Sequence, residues 1–582
     1  MNRAQKAPLP AVVLALTFLA CASGDDTGTF LTLAIDSGPA SLDPRLGSDE
    51  ASKRVNELIY NGLFRVDEAG RPEVDLAESY ERPDPLTVVV RLRSGVRFHD
   101  GAALTSRDVV YTYRSILEDE VPSFRKGDLT VLDSIEAADE GTVVFRLSRS
   151  FAPILTNLNI PVLKHGSGAD AARNPLGTGP FRVVSYRKDE TIDLVRFDEH
   201  FNGAAGVEGI RLRIIPSETG RLLALLKGSV DMIINDLTPD QFARIRDMPG
   251  FVVESRPGRN YVYMAFNMRD PILSDVRVRT AIARALDREE IVRHLLHGRA
   301  AISTGFLAPD HWAYSGRVNR HATDFDEARR LLDAAGRIDP DGDGPAMRFE
   351  LTYKTPSGEM ARQIATIVQQ QLARIGIEVT IRSFEWPTFY DDLKAGRFQL
   401  VVSNWTEITD PDVLRLRFHS GFMPPHGFNR GRYENPEVDR LLEEGAAALD
   451  DAERRRVYGR IQEILSNDLP YVSLWHRHVS VARSERVQGF RLTPGGDFHP
   501  LRRVRLDPLE STPGGSSQAS RRPRIFSTSW SGTAPERMTR GGSVVRSRTV
   551  EACPPRVTPP SRIRSTDPPI ACSTSAAEDG AG

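Results

Sequence analysis

Apolar and polar positions alternate along Thr87–Arg93, the period-two pattern of a half-buried strand. Gly95 and His99-Asp100-Gly101 follow as turns. Thr105-x-x-Asp108 then places a hydroxyl cap ahead of a first-turn carboxylate, and Val109, Val110, Tyr113, Ile116 and Leu117 repeat at helical spacing. Leu31–Ile35 reads as an earlier strand, Val55, Leu58, Ile59 and Leu63 as a helical stripe, and Thr142–Leu147 as a second alternating strand. Two later stretches carry strand–helix–strand logic. The first runs Ile210–Ile215, Glu218–Lys227, Gly228 and Val230–Ile234. The second runs Phe349–Tyr353, a stripe of Met360, Ile364, Ile367, Val368 and Leu372, then Gly376 and Ile377–Ile381. Crossovers of that length pair strands in parallel with a right-handed connection, so the pattern predicts an α/β protein with such a unit in each half.

The length, 582 residues, exceeds one ordinary core and suffices for two or three lobes. Composition is that of a globular protein, 40% hydrophobic and 26% charged. The formal net charge of −2 averages unlike parts: the stretch from Ser511 onward holds ten Arg, five acids and no Lys. The region ahead of it is therefore acidic, which gives nucleic-acid binding no support. Residues 508–582 are rich in Arg, Ser and Pro without apolar periodicity and read as a disordered tail.

At the other end, Arg3 and Lys6 precede an apolar run, Ala7–Ala20, too short for a mature membrane span. Phe18-Leu19-Ala20-Cys21 resembles a bacterial lipobox, so residues 1–21 read as a targeting segment with Cys21 as the lipidation site; an ordinary secretory cleavage is the alternative. Two acyl chains on Cys21 would tether the protein to a membrane. The other cysteines are Cys553 and Cys572, so Thr29–Asp507 offers neither thiol catalysis nor a Cys-ligated zinc site.

Three phrases occur in order: Leu76–Glu81 (LAESYE), RLRSGVRFHDG ending at Gly101, and LTSRDVVYTY from Leu104. Together they resemble the signature region of the family-5 extracytoplasmic solute-binding proteins, the peptide- and nickel-type binding subunits of ABC importers. Leu42-Asp43-Pro44, Tyr60-Asn61-Gly62-Leu63, Gly177-Thr178-Gly179-Pro180-Phe181, the strand ending Phe266-Asn267 and DVRVRTAIARALDREEI from Asp275 extend the likeness. It covers about Thr29–Asp507. The resemblance implies a two-lobe periplasmic-binding-protein fold, type II and large. Lobe I is expected over 29–266 plus 480–507 with an extra subdomain at 63–175, and lobe II over 267–479, so the chain crosses the hinge near Tyr263–Asn267 and again near Val479–Arg483. It implies capture of a peptide or peptide-like solute by cleft closure, a permease and ATPase as partners, no cofactor, and a periplasmic or extracytoplasmic, lipid-anchored location.

No HExxH or GxSxG occurs, and the glycines at 177 and 179 lack the spacing of a phosphate loop. No catalytic residue is therefore assigned, and a hydrolase is the rival from another class, followed by a sensor or chaperone. Within binding proteins, a sugar, an opine or a metal chelate rivals the peptide. The family supplies one cleft face by W-x-x-D-x-x-D-P. Here the segment is Asn404-Trp405-Thr406-Glu407-Ile408-Thr409-Asp410-Pro411, one residue short, with Ile408 where the family carries the aspartate that holds a peptide's ammonium. Glu407 and Asp410 are the candidates to replace it. The resemblance also implies that Asp36 and Ser37 border the cleft from the first lobe and that Tyr261 and Tyr263 sit on its hinge side. Asp339-x-Asp341-x-Asp343-Gly344 with Glu350 matches the D-x-D-x-D-G-x5-E calcium pattern, in a helix–loop–strand setting; a solvated acidic turn is the alternative. His476 and His478 share one face of a predicted strand, without an evident third ligand; His426 stands apart.

Overall fold

In the first lobe, Phe30–Ile35 lies between Gly209–Ile214 and Met232–Ile234 and runs parallel to both. The expected strand–helix–strand unit at 210–234 is a parallel crossover, but its two strands are not neighbours. Leu31, Leu33 and Ala34 are buried, so Phe30–Ile35 belongs in the middle of the sheet with a covered face on each side. In the second lobe, Ile377–Phe384, Phe349–Pro356 and Leu400–Trp405 form a second parallel set, with helix Glu359–Ala373 as the crossover. The computed structural model describes residues 29–508 apart from 343, 407, 425 and 426. The targeting segment with Cys21, the C-terminal tail, Asp343, Glu407 and His426 lie outside the described residues.

Two long strands, Phe251–Phe266 and Tyr471–Ser484, pair antiparallel and join both sets into one 11-stranded sheet. Phe251–Pro257 pairs with His478–Ser484 on the first-lobe side, and Tyr261–Ala265 pairs with Tyr471–His476 on the second-lobe side. The ladder breaks register between Pro257 and Tyr261. Tyr261–Phe266 pairs throughout with Leu400–Trp405, so the first crossing falls at Pro257–Tyr261, earlier than the expected Tyr263–Asn267. Periodicity could not place it, because one unbroken strand serves both lobes.

The stretch after Leu63 builds its own layer. Ala77–Asp84, Thr87–Leu92, Thr142–Leu147 and Leu132–Asp139 form a four-stranded antiparallel sheet. Helix Ser106–Leu117 covers it, and its capping box forms as the spacing predicts: Thr105 N–H donates to Asp108 Oδ2 at 2.7 Å. Val88, Val90, Val109, Tyr113 and Phe145 fill the core between them. This layer also touches the second lobe: Ala152 N–H donates to the Ala446 carbonyl at 2.8 Å, and Ala446 is buried in the same core.

The Gly177–Phe181 turn is a packing device. Gly179 N–H donates to the Ile59 carbonyl at 2.8 Å, and His99 N–H donates to the Gly177 carbonyl at 2.9 Å. His99 Nε2 lies 3.0 Å from the Gly179 carbonyl, and burial lowers the pKa of His99 to about 4, leaving a neutral ring that ties the turn. A Cβ on Gly177 would stand 2.0 Å from the Ile59 carbonyl oxygen, which is backbone and cannot swing away. Gly177→Ala is therefore expected to cost at least about 2 kcal/mol through overpacking. Thermal or denaturant unfolding measures it; an unchanged midpoint would contradict this packing.

Candidate ligand-binding site

Parallel sheets bind ligands in the crevice beyond the carboxyl ends of their strands, where chain ends diverge and helix N-termini gather. In the first lobe these ends lead into Asp36-Ser37, Ser217-Glu218 and Asn235–Thr238; in the second they lead into Ser357–Glu359, Glu385-Trp386 and Thr406. A cavity of about 770 Å³ is lined from both lobes, by Glu218, Thr238 and Asp240 on one side and Thr355, Trp386 and Asn404 on the other. A second, of about 660 Å³, is lined by Asn56 and Asp497 of the first lobe, Phe151 of the extra subdomain, Arg259 at the crossing, and Thr406 and Arg417 of the second lobe.

The expected residues divide between these walls and the core. Asn404 is exposed and lines the larger cavity. Asp36 and Ser37 are exposed at the first-lobe strand end, with Ser37 Oγ donating to Asp36 Oδ1 at 2.9 Å. Tyr261 and Tyr263 are 2% and 0% exposed and pack inside the second lobe, which removes them as cleft walls. Tyr261 shares a 2.8 Å hydrogen bond with Ser473, and Tyr263 stacks between Tyr471 at 4.2 Å and Trp405 at 6.0 Å. Trp405 is itself mostly buried, at the sheet's cleft edge.

Asp410 has other work. Its Oδ1 accepts from Arg454 Nη2 at 2.7 Å and from the Asp412 N–H at 2.8 Å, and both partners of the ion pair are buried. Asp412 is likewise held by Arg415 at 2.9 Å. Ile408 is 3% exposed, so the position where the family carries its aspartate turns into the core.

The acidic loop spreads its carboxylates. Asp339 lies 3.6 Å from Arg348, Asp341 accepts from the Ala346 N–H at 3.0 Å, and Glu350, on a strand, accepts from Thr380. The left-handed turn residue is Gly342, with φ of 76°, rather than Gly344. His476 is buried against Ser303. Among the described residues no three His, Cys, Asp or Glu are grouped to hold a metal.

Residues that periodicity did not single out complete the site. Trp386 is 56% exposed at a strand end and stacks on Tyr390 at 5.7 Å, leaving a flat apolar platform in the larger cavity. Asp236 follows strand Met232–Ile234 and accepts from the Asp36 N–H at 3.2 Å. Burial, then the Asp36 charge, raise its pKa to about 7, against the pull of Arg54 and Arg221. An acid following a buried strand was the available signal, but its neighbour lies 200 positions away.

Two outcomes follow. Asp410→Ala strands the buried Arg454 guanidinium and is expected to destabilise the fold by about 3–5 kcal/mol, read by denaturant unfolding; a loss of binding without loss of stability would contradict the structural role. Asp236, near 3.9 unfolded and about 7 folded, keeps a proton in the native state that the unfolded chain releases. Its contribution to stability thus falls as pH rises from about 4 to 7 and is level above. Asp236→Asn should gain on the order of 1–2 kcal/mol at pH 8, discounted for partial exposure, and little at pH 4. Melting across pH checks the slope.

Known proteins share this architecture. The oligopeptide-binding protein AppA of Bacillus subtilis is 26% identical over 486 residues, covering 80% of this chain and 89% of that protein. Heme-binding protein A of Haemophilus influenzae is 26% identical, covering 79% and 89%. The solved structure of Bacillus subtilis AppA in complex with a nonapeptide superposes with a TM-score of 0.69 at 26% identity, covering 83% of this chain and 99% of that one. The family profile described as bacterial extracellular solute-binding proteins, family 5 Middle, matches residues 71–421. With two lobes, a paired-strand hinge and a cleft at the strand ends, the chain belongs to the bacterial extracellular solute-binding proteins of family 5.

Proposed function

We propose that the chain is the solute-capturing subunit of an ABC importer, taking up a peptide or peptide-like molecule and presenting it to a membrane permease. One observation carries the reading: a cavity of about 770 Å³ is lined by strand-end residues of both lobes. A solute bound there touches both walls, and only such differential contact shifts an open–closed equilibrium. The kinship with oligopeptide- and dipeptide-binding proteins of Bacillus subtilis and Escherichia coli supports the peptide. Trp386 offers a side-chain platform, and the exposed strand ends offer backbone groups to an extended peptide. Capture requires no bond making, and neither a nucleophile nor a metal enters the reading. A lipid at Cys21 would keep the protein beside its permease.

A ligand with no free ammonium at the Trp405 end is the second reading, favoured by the buried Ile408.

Mass spectrometry of small molecules released from the natively purified full chain tests the reading. The expected result is one or more peptides that, added back, raise the melting temperature; ligand at a hundredfold over Kd adds about 2.7 kcal/mol. A stabilising non-peptide would replace the peptide reading, and turnover of the released molecule would overturn capture itself. The intact mass of the membrane-associated form reports the anchor: a diacylated Cys21 is expected, and an unmodified N-terminus would refute it.

A further inference from the structure

Arg417, in helix Val413–Phe418, and Arg430, in the following loop, meet at one ring. Their guanidinium carbons lie 4.2 and 4.6 Å from the centre of Trp405. Two like charges held against one side chain repel each other unless an anion joins them. Among the described residues neither has an ion pair, whereas neighbouring Arg415 and Arg454 are matched to Asp412 and Asp410. Among the described residues the Arg417 guanidinium donates only to the Val413 carbonyl. Arg430 is 3% exposed and rests on the rings of Tyr390, Trp405 and Phe428.

The polar atoms around this ring are also left without partners. The Nε atoms of Arg417 and Arg430 and Nε1 of Trp405 are buried and unbonded among the described residues. All three can only donate. Burial, and then the nearby Arg430 charge, lower the Arg417 pKa to about 10, against the pull of Tyr471, Tyr263 and Asp128. Arg417 lines the cavity of about 660 Å³, and so does Arg259, which donates to the Asp67 carbonyl and lies near Asp497.

We propose that Arg417 and Arg430, with the Trp405 indole N–H, form an anion-holding wall that takes a carboxylate of the captured ligand. This deepens the solute-capture reading and rests on it. The wall reverses the polarity that the family pattern would give this segment: Ile408 is buried where an acid would receive an ammonium, and guanidiniums receive an acid instead. A planar fork suits a carboxylate, and a dry site makes each charge-assisted bond stronger than it would be in water. For a peptide the group is the C-terminal or a side-chain carboxylate; for a non-peptide it is any small organic acid.

The test uses ligand-free full chain and three probes in calorimetric titration: a random tripeptide pool with free C-termini, the same pool amidated, and citrate. The free-acid pool is expected to bind at least tenfold tighter than the amidated one. Arg417→Gln and Arg430→Gln should each weaken the free-acid pool at least tenfold and bring the two pools within about twofold. Circular dichroism melts confirm that each variant folds; where a Gln variant does not, Arg417→Lys or Arg430→Lys replaces it, keeping the charge without the fork and giving an intermediate loss. Equal affinity of the two pools for the wild type overturns the wall, as does discrimination that survives in both variants. Failure of both peptide pools with citrate bound, and lost at least tenfold in the variants, discards the peptide but supports the wall. Failure of all three probes overturns it.

Discussion

The pairing of Phe251–Phe266 with Tyr471–Ser484 is the constraint on which the rest depends. These strands make the only sheet that runs through both lobes among the described residues, so every strand order on either side is fixed relative to them. The ladder shifts register twice, between Val262 and Tyr263 and, more widely, between Pro257 and Tyr261, where the cause is chemical. Pro257 has no N–H to donate, and a Cβ on Gly258 would lie 2.6 Å from the Arg477 carbonyl. A break in a backbone ladder is where rotation costs least, since few hydrogen bonds must deform. The continuous pairing on both sides keeps the two sets of strand ends turned toward one crevice.

Charge is distributed unevenly around that crevice. The first lobe brings two carboxylates together, Asp36 and Asp236, and burial makes one of them hard to ionise. The second lobe divides its charges by role. Asp410 with Arg454 and Asp412 with Arg415 are buried pairs that lock the segment after Trp405 to its helices. Such pairs add little net stability but are costly to break. Arg417 and Arg430 rest on aromatic faces, as Arg415 and Arg454 do, but among the described residues neither forms an ion pair.

Much of the fold was readable because it is local. Alternation marked Thr87–Leu92 and Thr142–Leu147, the Thr105–Asp108 cap marked a helix start, and the strand–helix–strand spacing marked both parallel sets. The family phrases placed these elements in one known architecture. The site was partly readable: Asn404 lines the larger cavity, and Asp36-Ser37 is exposed at a first-lobe strand end. Tyr261 and Tyr263 are buried in the core, and Asp410 lines the smaller cavity but is tied to Arg454. An aromatic or acid beside a hinge or a proline looks alike in sequence whether it faces a ligand or a buried arginine.

The sequence alone determined which segments become strands and helices and that each half carries an α/β unit, because periodicity, caps and breakers act over a few residues; the shared hinge was implied by the family resemblance. Tertiary structure decided the rest: that Phe30–Ile35 separates two strands of its own lobe, that the crossing sits at Pro257–Tyr261, and that Trp405 gathers Arg417, Arg430 and the stacked Tyr263 with Tyr471 around one ring. These neighbours come from distant parts of the chain. Their meeting depends on sheet order and burial, in which a side chain's partner is set by which strand lies beside it and not by the residues that flank it.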